Sequence, residues 1–432
     1  MIQHALTLLL ALSAPPPDRL ESPRLPSPLT LEAAERIFLD HGLDLLVADA
    51  QARGAEGDLR AAGAHPNPGG SVGALYSFPL PPDQGGGAPA VWGWTASLSD
   101  NAAIEDQLSG KRSLRIEAAA QALAAAKLSA KDLRRTELTQ LRQSFAQLLM
   151  AAENVTLAQD VQASYAKTYG LNQIRYQKGD ISEADLAKIS TAKLEADQTV
   201  SQANQGLASA KAALAFLLGV RDAVASFEAA GSLEYHPLAE LASKGPNDLV
   251  TLGLERRPDY LAAVAMAKQD EALLSQAKRQ ILPDIAVTAT YLTQYTPAYV
   301  VTPPSLELGL SGNLPVLYQQ QGEIERAESN LLAARATEAK ARAVVVSDVA
   351  QAWAGYVSAR EMVERMERDL LKEAKLSRDL EQLMYTKGAA SLLDFLDSER
   401  TYLATNLEYH QDLASYWSAV YALEEATATP LR

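Results

Sequence analysis

The 432-residue chain contains no cysteine. That single absence excludes disulfides, thiolate metal sites, cysteine nucleophiles and lipid attachment through an N-terminal cysteine. Histidine is nearly as scarce, at five residues, so no imidazole metal cluster and no cofactor site is expected. Cationic side chains are the minority charge: 39 Lys+Arg stand against 53 Asp+Glu, a formal net charge of −14. A field of that sign repels a phosphate backbone and argues against nucleic acid as a partner. The sequence also lacks a phosphate-cradling glycine loop and a His-x-x-x-His helix, and its acids are scattered, so it points away from an enzyme. Beyond the N-terminus no run of 18 apolar residues occurs. A membrane-spanning helix is therefore not expected, and any span must be built of β-strands closed into a barrel.

What is present is apolar content in short repeated units, 47% of the chain. Residues 5–12 are apolar, end at Ser13 and Ala14 and precede Pro15, Pro16 and Pro17, the layout of a signal peptide over 1–17 although its start carries only His4 as a basic side chain. After an extension over 18–29, residues 29–64 read as a helix with Thr30 as N-cap and His65-Pro66-Asn67-Pro68 as its stop. The period then changes from helical to two. Val72, Ala74, Tyr76 and Phe78 share one face, and Trp92, Trp94, Ala96 and Leu98 alternate with small residues, so residues 71–99 read as a hairpin around the Pro/Gly-rich loop 79–89 that holds Gly85-Gly86-Gly87. From Gly110 to Tyr176 there is no proline and no turn cluster, which predicts a helix about 100 Å long. It turns at Lys178-Gly179-Asp180, and a return helix runs from Ser182 to Gly219.

The pattern then repeats. Residues 247–282 read as a helix stopped by Pro283, residues 285–311 as a second hairpin in which Leu306, Leu308 and Leu310 alternate with Glu307, Gly309 and Ser311, and residues 319–385 as a second long helix that turns at Lys387-Gly388 and resumes at Ser391. Tyr176, Lys178, Gly179, Ser182 and Asp185 align with Tyr385, Lys387, Gly388, Ser391 and Asp394 at one constant offset. In the second long helix Val349, Tyr356, Val363 and Leu370 fall at heptad spacing, with Ala352, Ala359 and Met366 between them. The expected division is a first repeat over 30–219, an equatorial linker over 220–246, a second repeat over 247–427 and a tail over 428–432. Four strands cannot close a barrel, for which about eight is the minimum, so oligomerisation is implied and three copies would supply twelve strands. The face carrying Tyr76, Phe78, Trp92, Trp94 and Tyr291 is assigned to lipid. The opposing reading is a soluble sheet with a buried aromatic face.

The order and spacing of 64–68 (Ala-His-Pro-Asn-Pro), 110–115 (Gly-Lys-Arg-Ser-Leu-Arg), 176–182 (Tyr-Gln-Lys-Gly-Asp-Ile-Ser), Arg257-Pro258-Asp259, Leu314-Pro315-Val316 and Gly322-Glu323 resemble the TolC-type outer membrane efflux family. Gly110-Lys111-Arg112 is most like its heavy-metal branch. The resemblance implies a mainly α fold with β: a homotrimeric, 12-stranded transmembrane barrel continued by a periplasmic α-helical barrel, docking on a periplasmic adaptor and an inner-membrane pump. Two departures are visible. No cysteine is available for lipidation, so anchoring must rest on the barrel, and little sequence follows the last helix.

The repeated turns have a local explanation: Lys suits the helix C-terminus, Gly the left-handed position beyond it, and Ser with Asp three residues later forms a capping box. The functional alternative places Gly179, Ser182, Gly388 and Ser391 at an adaptor-docking tip. Asp397 lies one turn beyond Asp394, and its counterpart in the first repeat is Lys188. The resemblance places Asp394 and Asp397 at a closed periplasmic entrance, ringed by carboxylates in a trimer; separately, the positions of Lys188 and Asp397 after the two turns suggest a latch between them, with Tyr385 a secondary latch candidate. Against it stands a solvated helix face for the acids and seam packing for Tyr385. A periplasmic coiled-coil adaptor without a pore, or the outer component of a protein secretion system, are the competing functions.

Overall fold

The computed structural model describes residues 20–78, 90–221, 226–238, 241, 244–295 and 303–431. The expected signal peptide over 1–17, the loop 79–89, most of the loop after Tyr295 and part of the linker fall outside these residues. The chain is mainly helical with one antiparallel sheet, and it divides into two compact units that cut across the sequence repeats. One comprises residues 50–129 and 259–341, the other the remaining segments, so each draws on both halves of the sequence.

The unit of residues 50–129 and 259–341 holds the sheet. Strands β1 (Gly69–Ser77), β2 (Val91–Ser99), β3 (Ile285–Tyr295) and β4 (Ser305–Gly312) pair antiparallel in the order β1-β2-β3-β4. Residues directly opposed across antiparallel strands point to the same face. Following the register across the sheet gives the rows Val72–Ala96–Tyr291–Leu306, Ala74–Trp94–Thr293 and Tyr76–Trp92–Tyr295 on one face. The other face carries Ser71–Ser97–Thr290–Glu307, Gly73–Thr95–Leu292–Ser305 and Gly69–Ser99–Thr288–Gly309. The alternation within each strand is thus brought into phase across all four. A short helix α3 (Ala103–Leu108) follows β2, and Asp100 ties this end together: its carboxylate accepts from the Ile104 amide at 3.1 Å and from the Val287 amide at 2.7 Å.

Two segments expected as single helices are each broken in two. Residues 29–64 form α1 (Leu31–His41) and α2 (Leu43–Ala62), because Gly42 leaves helical geometry at φ −58°, ψ 118°. Thr30 does cap α1, accepting from the Ala33 amide at 3.2 Å. Residues 247–282 form α6 (Pro246–Arg256) and α7 (Pro258–Arg279), after the first long helix α4 (Lys111–Gln177) and its return α5 (Glu183–Leu217). Pro258 forces the residue before it out of the α region, and Arg257 accordingly sits at ψ 120°. Arg257 is buried there, with an ion pair to Asp348 at 2.8 Å.

The second long helix also departs from expectation. It runs as α8 (Gln321–Arg365), a π-turn over Met366–Leu370 and α9 (Leu371–Lys387), followed by α10 (Leu392–Thr427). Val349, Tyr356, Val363 and Met366 are buried as the heptad predicts, but Leu370 is 46% exposed. The π-turn inserts one residue into the helical path and so rotates everything after it by about 100°. The seam resumes one position later, at Ala374 and Tyr385.

Candidate functional site

In the unit that contains them, the two turn motifs are built alike. Gly179 closes α4 at φ +82° and Gly388 closes α9 at φ +79°. A side chain at either glycine would meet open space, so the left-handed backbone alone demands glycine there. Ser182 and Ser391 follow as N-caps, their hydroxyls accepting from the Asp185 and Asp394 amides at 3.2 Å in both cases. In return the Ser391 hydroxyl donates to the Asp394 carboxylate at 2.6 Å, and the Ser182 hydroxyl to Asp185 at 2.9 Å. These serine hydrogen bonds hold both carboxyls below the ordinary carboxylate range, with Lys188 adding to the effect at Asp185. Asp394 is thus occupied as a helix cap within its own chain.

Lys188 pairs with Asp185 on its own helix at 3.2 Å and does not reach Asp397 within the chain. Asp397 is exposed and makes no ion pair among the described residues. Tyr385 lies inside, where its hydroxyl donates to Asn172 Oδ1 at 2.6 Å and its ring stacks on Phe395 at 5.4 Å. The Arg175 guanidinium lies 5.3 Å from the centroid of the same Tyr385 ring and donates to the Thr386 carbonyl at 3.3 Å. Arg175 and Asn172 therefore brace the end of α4 against the end of α9, a role with no signature in the spacing of the turn motif. Glu399, fully buried on α10, was equally silent in the sequence: one carboxylate oxygen accepts from Ser164 at 2.7 Å and the other has no partner. Burial pushes its carboxyl above the ordinary range.

In the sheet-bearing unit the aromatic residues assigned to lipid lie together. Tyr76 contacts Phe78 and Trp92 with ring centroids 5.0 and 4.5 Å apart, and Trp94 lies 5.4 Å from Tyr291. All five remain exposed in the single chain. Gly110-Lys111-Arg112, by contrast, forms a brace. Lys111 Nζ donates to Asp284 and to the Leu282 carbonyl, each at 2.7 Å, and pairs with Glu105 at 3.2 Å, while Arg115 pairs with Asp106 at 2.9 Å. The motif fastens the start of α4 to the entry of β3, and the ammonium group of Lys111 is fully engaged there. Among the described residues no group of three or more His, Asp or Glu is placed to hold a metal ion, and no helix is long and apolar enough to cross a membrane.

A sheet apolar on one face and largely small or polar on the other, in a chain that also carries helices of up to 67 residues, defines a class: mainly helical chains of long helices with one amphipathic antiparallel sheet. The sequence matches the outer membrane efflux protein family over residues 37–220 and 249–429, and the chain belongs to that family. The family places it in the bacterial outer membrane. Over 400 residues it is 25% identical to the cobalt-zinc-cadmium resistance protein CzcC of Cupriavidus metallidurans, covering 92% of this chain and 89% of that one. Its fold is similar to that of CusC, with a TM-score of 0.75 at 18% identity over 92% and 91% of the two chains. The outer membrane protein VceC of Vibrio cholerae gives a TM-score of 0.74 at 19% identity over 93% and 97%.

Proposed function

We propose that this chain is the exit duct of a tripartite efflux system, a homotrimer whose twelve strands form one transmembrane barrel and whose helices continue the passage into the periplasm. The observation that carries the reading is the sheet. Its apolar face is continuous over four strands of 8 to 11 residues, close to the roughly 9–11 of tilted membrane-spanning strands. Its order leaves one edge of β1 and one of β4 without a partner among the described residues. In hydrocarbon each unpaired backbone group costs several kcal/mol, so the edges must meet those of further copies. The duct performs no chemistry of its own, and direction comes from an energised inner-membrane pump reached through a periplasmic adaptor. The exposed turns at Gly179, Ser182, Gly388 and Ser391 are the proposed docking tip.

Three copies of Asp397, with Asp394 beside them, would ring the periplasmic entrance with carboxylates and favour cations. Because Lys188 and Asp397 do not meet within a chain, their latch would form between copies. The similarity to a cobalt-zinc-cadmium resistance protein supports divalent metal cations as cargo. The decisive experiment is fractionation with crosslinking: the expected product is an outer-membrane species with heat-modifiable migration that crosslinks as a trimer and conducts in planar bilayers. A soluble periplasmic monomer would overturn the reading.

A further inference from the structure

The four strands contain one charged side chain, Glu307. Its place is fixed by the register: it opposes Thr290, which opposes Ser97, which opposes Ser71, so a single transverse row of three hydroxyl residues ends in the carboxylate. The row is already a polar unit, since the Ser71 and Ser97 hydroxyls are hydrogen-bonded to each other at 2.7 Å. The residues before and after Glu307, Leu306 and Leu308, belong to the opposite, apolar face. No Lys or Arg occurs in any strand, and the inter-strand sequences 78–90 and 296–304 add Asp83 but no basic residue. A carboxylate on a membrane strand is costly unless it faces water, and this one lies on the face opposite the apolar rows.

We infer that Glu307 is a charge-selecting residue of the outer-membrane segment of the duct. The inference rests on the trimeric barrel proposed above. There, threefold symmetry repeats the row in each copy and sets three carboxylates at one level of the barrel wall, with no countercharge in any strand. Such a ring raises the local concentration of cations and repels anions, as charged rings do in other pores.

The test uses reconstituted trimers in planar bilayers under a KCl gradient at about 10 mM salt, where the Debye length of about 30 Å leaves the ring unscreened. The expected result is that Glu307→Gln lowers the cation-over-anion permeability ratio about twofold or more, and that the difference vanishes near 1 M salt, where screening acts within about 3 Å. Because the chain has no native cysteine, Glu307→Cys can be charged at will. An anionic methanethiosulfonate should restore the wild-type ratio and a cationic one should depress it further, whereas Leu308→Cys on the other face should respond to neither reagent. Channels of normal conductance whose ratio ignores both Glu307→Gln and the reagents would overturn the inference and leave the duct reading standing. Failure of the wild-type protein to form channels would overturn the duct reading and this inference with it.

Discussion

Glu399 lies in a seam of helices with one carboxylate oxygen satisfied by Ser164 and the other unpartnered. An orphaned buried acceptor costs about 1–3 kcal/mol. Burial raises its pKa, so the folded chain keeps this proton to a higher pH than the unfolded chain does. Within that window the folded state binds more protons, and stability falls as pH rises. Glu399→Gln removes the charge and keeps the shape, and is expected to stabilise the protein by about 1 kcal/mol at pH 8 while changing little at pH 4.5, measured by thermal melts. An equal gain at both values would mean that charge is not the cause. Tyr385 supplies the opposite case. Its hydroxyl is engaged by buried Asn172, so Tyr385→Phe is expected to cost about 1–2 kcal/mol and to leave channel conductance unchanged. Asp185 and Asp394 could be read in advance because their partners lie three residues away. The partners of Tyr385, Lys111 and Glu399 lie 213, 173 and 235 residues away, and no local pattern announces them.

At the scale of the element, the strands and their facing were written in the alternation, and the helix turns in the Lys-Gly and Ser-x-x-Asp spacings. The breaks at Gly42 and Pro258 come from rules of backbone geometry that a long apolar period conceals. The π-turn at Met366–Leu370 was hidden altogether, because inserting one residue shifts the phase of the downstream helix without changing the composition of anything. It makes a distinctive prediction. Deleting Leu370 should convert the π-turn into regular helix and keep Ala374 and Tyr385 on the seam, so the melting temperature should stay within a few degrees of wild type. Deleting exposed Ser358 instead moves Ala359, Val363 and Met366 off the seam before the π-turn can absorb the change, and each buried side chain lost is worth about 1–3 kcal/mol. If both deletions melt alike, the π-turn is not the element that resets the phase.

For the whole molecule the question is what holds it in an outer membrane when no helix among its described residues is long and apolar enough to cross one. If the sheet holds it there, as proposed above, its two faces must tolerate charge very differently. Leu308 is 75% exposed in the single chain and sits in the apolar row Gly70–Leu98–Ala289–Leu308. Thr288, on the adjoining strand, sits on the small-polar face in the row of Ser99 and Gly309. An arginine facing lipid near the bilayer midplane costs about 2–4 kcal/mol, and threefold symmetry applies that cost three times per barrel. Leu308→Arg is therefore expected to abolish the heat-modifiable trimer and leave the chain outside the membrane fraction. Thr288→Arg, which turns the same charge toward water, is expected to assemble and to shift conduction toward anions. Were the sheet instead one layer of a soluble sandwich, its apolar face would be buried against protein, both variants would fractionate with soluble material, and neither would conduct. Gel migration and bilayer recording of this pair thus separate a lipid-facing sheet from a protein-facing one.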